Sequence, residues 1–128
     1  MRESIHKYFR VGTIRWMSFP KMGVLESIKK IASDDYFDAI EITECTDDEE
    51  RNAVKKILEQ SHMKVCYGAQ PRLLGPKLNP NDIDEKGRKA AENTLLEAID
   101  EAEYLGAKGI AFLAGKWEEK TKEQEARA

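Results

Sequence analysis

The chain has 128 residues, 41% of them hydrophobic, and its 24 acidic and 21 basic residues leave a formal net charge of -3. That length and apolar content suit one cored domain rather than a disordered or fibrous chain. The charges are scattered, with no basic stripe interleaved with aromatics, which disfavours nucleic acid as a partner. No stretch approaches the ~18 uninterrupted apolar residues of a membrane helix, and the opening MRESIHKYFRVG lacks the apolar core of a secretion signal. A soluble cytoplasmic protein without a membrane partner is expected. Cys45 and Cys66 have neither the number nor the spacing of a disulfide framework or zinc site, and read as buried reduced thiols.

After a tail over residues 1–10, short β-branched runs alternate with longer helical patterns, the signature of βαβ units and a parallel sheet. The first strand is predicted over Val11 to Trp16. A turn at Pro20 and Gly23 follows, then a helix with Val24, Leu25, Ile28, Ile31 and Ala32 on one stripe. The second strand, Ala39 to Thr43, leads to a helix opened by Thr46 with Glu49 three residues on, a capping-box pattern. The buried face of that helix is expected to be Ala53, Val54, Ile57 and Leu58.

The third strand, Lys64 to Ala69, precedes a loop from Gln70 to about Asp84 that holds Pro71, Gly75, Pro76 and Pro80. This exceeds the roughly 2 to 6 residues of an ordinary βα connection, and loops of such length are often lids or ligand contacts. A third helix runs from about Asp84 to Leu105. Its apolar face is Ala91, Leu95, Ala98, Ile99, Ala102 and Leu105, and Gly106 forms its C-terminal cap. The fourth strand is predicted over Gly109 to Ala114. Beyond Gly115 the run KWEEKTKEQEARA has helical character but no apolar stripe, and a helix without a buried face gains little from packing.

Several of these residues together resemble a known family. Phe37-Asp38-Ala39-Ile40-Glu41-Ile42 is similar to the second-strand motif of xylose isomerase-like barrels, the sugar phosphate isomerases and epimerases. In the stretch from Leu78 to Gly115, the Asn79-Pro80 pair, Arg88, Ala98-Ile99-Asp100-Glu101-Ala102 and Leu105-Gly106-Ala107 precede an apolar strand, as in that family's third helix and fourth strand. The resemblance implies an α/β fold: the parallel (β/α)4 half of a TIM barrel, over residues 11–128. A whole barrel of this type has eight strands and about 250 residues. Half a barrel leaves its first and fourth strands as open edges. A homo-oligomer, or a C-terminal half supplied elsewhere, is expected to cover them.

The resemblance further implies a divalent metal (Mn, Mg, Co or Zn) in the complete barrel, polarising a carbonyl while a carboxylate moves the adjacent proton. The family's ligands come from later strands. No metal ligand, catalytic residue or cofactor is therefore assigned to this chain, which alone is expected to be inactive. The partner implied is a sugar or sugar phosphate. The alternative reading is a non-catalytic half-barrel that binds a ligand or self-associates.

Candidate ligand contacts lie where strands run into their following loops. These are Arg15 and Trp16 after the first strand, Glu41 and Glu44 on the second, Gln70 and Arg72 after the third, and Lys116 and Trp117 after the fourth. Arg15, Arg72 and Lys116 could bind phosphate or carboxylate, or be solvated loop charges. Trp16 or Trp117 could wall a sugar ring or pack in a core or interface. Glu41 interrupts an apolar strand, and a buried carboxylate must find a partner. Alternation leaves open whether it faces a pocket or a salt bridge. Glu44 is the weaker carboxylate, because the cluster Asp47-Asp48-Glu49-Glu50 after it reads as helix N-terminal charge. His62 falls before the third strand, at the opposite end from the site, and His6 lies in the tail. No Gly-x-Gly-x-x-Gly or phosphate loop follows any strand, so no nucleotide cofactor is implied.

Overall fold

The computed structural model describes residues 5–115. Four strands, β1 (Gly12–Ile14), β2 (Ala39–Ile42), β3 (Lys64–Gly68) and β4 (Ile110–Ala111), form one sheet in the order β1-β2-β3-β4. Every pairing is parallel. The connections carry five helices: α1 (Arg15–Ser18), α2 (Val24–Ala32), α3 (Asp48–Gln60), α4 (Gln70–Leu74) and α5 (Glu85–Tyr104). The α/β class and the four parallel strands agree with the sequence reading, and the arrangement is compatible with a half-barrel.

Alternation along the strands decides where the core sits. Ile40, Ile42, Val65 and Tyr67 are buried and share one cluster with Ile28 and Ile31 of α2, Val54 and Leu58 of α3, and Ala98 and Ala102 of α5. Fully burying an isoleucine or leucine contributes about 1.5–3 kcal/mol, so this single face carries most of the domain's hydrophobic stabilisation. The residues between them, Glu41 and Cys66, share a register row with Ile14 on the opposite face. The core cluster draws nothing from that row.

Helix ends follow local chemistry, with one shift from expectation. The cap of α3 is Asp47 rather than Thr46: its Oδ1 accepts the Glu50 N–H at 2.8 Å. Glu50, not Glu49, reaches back, accepting from the Thr46 N–H at 2.7 Å and the Thr46 hydroxyl at 3.0 Å. The whole motif is displaced by one residue because an aspartate caps as well as a threonine. At the other end of α5, Gly106 takes a φ of +75°. Its N–H donates to the Glu103 carbonyl and that of Ala107 to the Ala102 carbonyl, at 3.0 and 2.9 Å. This is the Schellman pattern, which needs a residue free of a Cβ penalty.

Other expectations are corrected. The first strand ends at Ile14, and Arg15 and Trp16 belong to α1. The fourth strand is only Ile110–Ala111. The long loop after β3 opens with α4, which holds Pro71 in its first turn, where the missing N–H costs nothing. On α5, Ile99 is exposed and Glu101 is buried in its stead. Glu101 stands three residues after Ala98 and four before Leu105, so it continues the buried stripe. His6 is tied down: its Nδ1 lies 2.5 Å from Asp38 Oδ2, and its ring meets Tyr36 edge-on at 5.3 Å.

Candidate functional site

The candidate residues fall into two groups on opposite sides of the sheet. On the sheet face opposite the core helices α2, α3 and α5, Trp16, Glu41 and Gln70 converge over Gly68, at the C-terminal end of β3. A Cβ placed on Gly68 would lie 2.5 Å from Gln70 Oε1 and 2.6 Å from Glu41 Oε1, and would collide with Trp16 Cη2. Glycine is required here by close approach rather than by backbone angle. Glu41 reaches the spot because strand alternation turns it away from its buried neighbours Ile40 and Ile42. Gln70 reaches it from the first position of α4, and Trp16 from α1.

Two acceptor oxygens of this cradle are unsatisfied. Glu41 Oε1 and Gln70 Oε1 are both out of contact with solvent and have no hydrogen-bond partner. Thr43, two residues along the same face, gives its hydroxyl to the Gly68 carbonyl at 2.7 Å instead. Buried acceptors without donors are rare because each forfeits its hydration. Two of them lie beside the indole edge of Trp16 over Gly68.

On the helix side the charges are already paired. Glu101, its side chain 4% exposed, accepts from Tyr67 Oη at 2.5 Å, Arg51 Nε at 2.8 Å, Arg72 Nη2 at 2.7 Å and the Cys45 N–H at 3.3 Å. Burial alone would raise the Glu101 carboxyl, but hydrogen bonds from Tyr67, Arg51 and Arg72 hold it below the usual carboxylate value. Burial likewise lowers Arg72, and its bonds to Glu101 and Tyr67 outweigh that and hold it high. Burial, then the negative field of Glu101, push the Cys45 thiol up to about 12. The Tyr67 hydroxyl is raised for the same two reasons, with its bond to Glu101 adding to burial.

This network borders an open cleft of about 600 Å³ between α3 and α5, lined by Asp48, Arg51, Asn52, Arg72, Glu97 and Asp100 among others. Its basic groups are held by its acidic ones: Arg51 by Asp48 and Glu101, Arg72 by Glu101. The cleft reads as the outer face of a structural clamp joining α5 to β3, α3 and α4.

Of the eight sequence candidates, Trp16, Glu41 and Gln70 are therefore brought together. Glu44 is half exposed and pairs with Arg72 Nε at 3.3 Å on the helix side. Arg15 points its Nη1 at the buried Ser27 hydroxyl of α2, 3.4 Å away. Burial lowers its pKa, with Glu50 opposing. Lys116 and Trp117 lie outside the described residues. His62 sits where expected, away from the cradle, with Nε2 3.0 Å from the Phe37 carbonyl.

Among the described residues no three His, Cys, Asp or Glu side chains gather as a metal-binding group. The described residues offer no ligand set for the divalent metal that the family resemblance implies. No described helix is long and apolar enough to cross a membrane. Comparison with protein-family models, with curated proteins and with solved structures finds no match to this chain.

Proposed function

We propose that the chain is the N-terminal (β/α)4 half of a xylose isomerase-like barrel. In the complete barrel it would supply one polyol-binding wall of a cytoplasmic sugar or sugar phosphate isomerase or epimerase. The observation that carries this reading is the pair of partnerless acceptor oxygens, Glu41 Oε1 and Gln70 Oε1, beside Trp16 over Gly68. Glu41 is the penultimate residue of β2 and Gln70 opens α4 just after β3, near the strand ends where barrels of this type place ligand contacts. Carbohydrate hydroxyls bring donors to such oxygens, and the apolar face of a sugar ring packs on an indole. The strand order β1-β2-β3-β4, with the core on one sheet face, supports the barrel half of the reading. Proton transfer next to the carbonyl is then left to residues of the other half, and this chain alone binds without turning over.

The test is saturation-transfer NMR of the 128-residue chain with D-xylose and D-glucose, comparing the wild type with Gly68→Ala. The added methyl would collide with Trp16, Glu41 and Gln70 and push them from the cradle. Sugar signals on the wild type, weakened about tenfold in the variant, are expected from losing two polar contacts of roughly 0.5–1.5 kcal/mol each. A wild-type chain that takes no sugar, or a folded variant that takes it equally well, refutes the reading.

A further inference from the structure

The two ends of the sheet are alike in what they lack. Among the described residues β1 pairs only with β2, and β4 only with β3, so each turns a row of backbone N–H and C=O groups outward. Neither Gly12-Thr13-Ile14 nor Ile110-Ala111 carries the charge or proline that guards many sheet edges. The apolar run Gly109 to Ala114 predicts a strand of six residues, yet only two of them are paired. The inner strands β2 and β3, with neighbours on both sides, each fall short of their predicted length by a single residue. Pairing on one side alone holds β4 over a fraction of the length its residues favour.

Apolar side chains gather at both edges and at matching heights. In an all-parallel sheet every strand begins at the same end. At that end Tyr8 and Phe9, just before β1, are each 72% exposed. Beside the start of β4 a groove of about 370 Å³ is lined by Ile99, Ala102, Gly109 and Ile110, together with Glu103 and Lys108. At the finishing end Met17 follows β1 and is 68% exposed, and Phe112 and Leu113 follow β4 with nearly half their surface open. Apolar clusters of this kind mark association surfaces.

Charge decides which edges meet. Residues 5–33, with β1 and α2, hold six basic residues and one acidic; residues 85–115, with α5 and β4, hold six acidic and four basic. Two β1 edges repel each other, whereas a β1 edge attracts a β4 edge. Residues 116–128 carry four acidic and four basic residues and one large apolar side chain, Trp117, a composition unsuited to covering an apolar edge.

We propose that the β4 edge of one copy pairs in parallel with the β1 edge of a second copy, and the reverse, so that two copies of this chain close one barrel. A head-to-tail contact closes when its rotation returns to the start, and two sets of four strands reach the eight at which a parallel barrel closes. Ile14, Glu41 and Cys66, which lie off the core face, then line a shared interior. Trp16, next to β1, stands beside the second copy's β4 end, so the cradle is complete only in the pair. This rests on the half-barrel part of the reading above and is independent of its sugar.

Light scattering over a concentration series of the 128-residue chain tests the pairing. Twice the chain mass of 14.6 kDa is expected, with a dissociation constant that rises about tenfold or more between about 0.05 and about 0.5 M NaCl as the opposed charges are screened. The amides of Ile110 to Leu113, quick to exchange in the single copy, should gain protection as the pair forms. Phe112→Lys and Met17→Glu change exposed side chains on the two edges. Each enters both joints and should weaken the pair about a hundredfold. An equimolar mixture of the two variants leaves one joint native and sets lysine against glutamate in the other, so it should associate more tightly than either variant alone. Leu113→Lys takes the place of Phe112→Lys where that variant does not fold. A monomer at every concentration, open oligomers that grow with concentration, or a dimer indifferent to either substitution overturns the pairing. A monomer that still takes sugar leaves the binding-wall reading standing, whereas a dimer that takes none removes that reading and supports the pairing.

Discussion

Replacing Glu101 by glutamine keeps the side chain's size and shape but removes the charge that four donors converge on. Arg72, its side chain 12% exposed, and Tyr67, fully buried, then face a neutral amide, while Arg51, about a third exposed, recovers part of its hydration. Stripping one partner from a buried pair typically costs about 3–5 kcal/mol. Solvent at Arg51 argues for the lower end, so a loss of about 3 kcal/mol is expected. That is a large share of the roughly 5–15 kcal/mol that holds a domain folded. With a urea slope near 1.5 kcal/mol per M, the midpoint should fall by about 2 M, read from far-UV circular dichroism.

The pH dependence supplies an independent check. Hydrogen bonds hold Glu101 below its ordinary value in the folded chain, so the unfolded state binds the proton more readily. The clamp's contribution is then complete above the unfolded carboxylate value of about 4.3, and is lost as pH falls through the lower folded value. Glu101→Gln should flatten that acid limb. A variant whose midpoint stays within about 0.3 M of the wild type, or which keeps the acid slope, refutes the assignment of Glu101 as the centre of the clamp.

Two further outcomes follow from local geometry. Gly106→Ala places a Cβ on a residue at φ +75° and should cost about 1–2 kcal/mol in urea unfolding. An unchanged stability would mean that the end of α5 does not depend on its Schellman turn. Cys45 is buried with its thiol pushed up to about 12, so alkylation of the native chain by iodoacetamide at pH 8 should spare it while urea releases it. Mass mapping that finds Cys45 modified without denaturant counts against its burial.

Much of the architecture was readable from residue order alone, because β-branched runs such as Ala39 to Ile42 and helical stripes such as Val24 to Ala32 differ in period. What alternation could not supply was the side on which strand-end residues emerge. Once a strand gives way to a helix, each residue turns by about 100°. Gln70 and Arg72, two positions apart on α4, therefore leave toward opposite sides of the sheet. That is why a rim pooled from strand ends mixed the cradle with the clamp. Glu101 was overlooked for a different reason: a charged residue inside an apolar stripe was passed over in favour of Ile99, although the 3 and 4 spacing of Ala98, Glu101 and Leu105 marked it. The link between His6 and Asp38 spans 32 residues, and no local pattern encodes such a pairing. Glu41 was identifiable because a carboxylate between Ile40 and Ile42 contradicts its surroundings.

The strand order has a kinetic side. Each strand pairs with the one immediately before it in the chain, so every register is closed by a loop of roughly 25 to 45 residues and no pairing waits for a distant partner. During synthesis β1 and β2 can pair as soon as β2 itself has left the ribosome, and each later βα unit finds its template already laid down. β4, held by two residues against Tyr67 and Gly68, arrives last. By the same token it should be the first to exchange its amide protons, which makes the final unit the soft end of an otherwise sequentially assembled sheet.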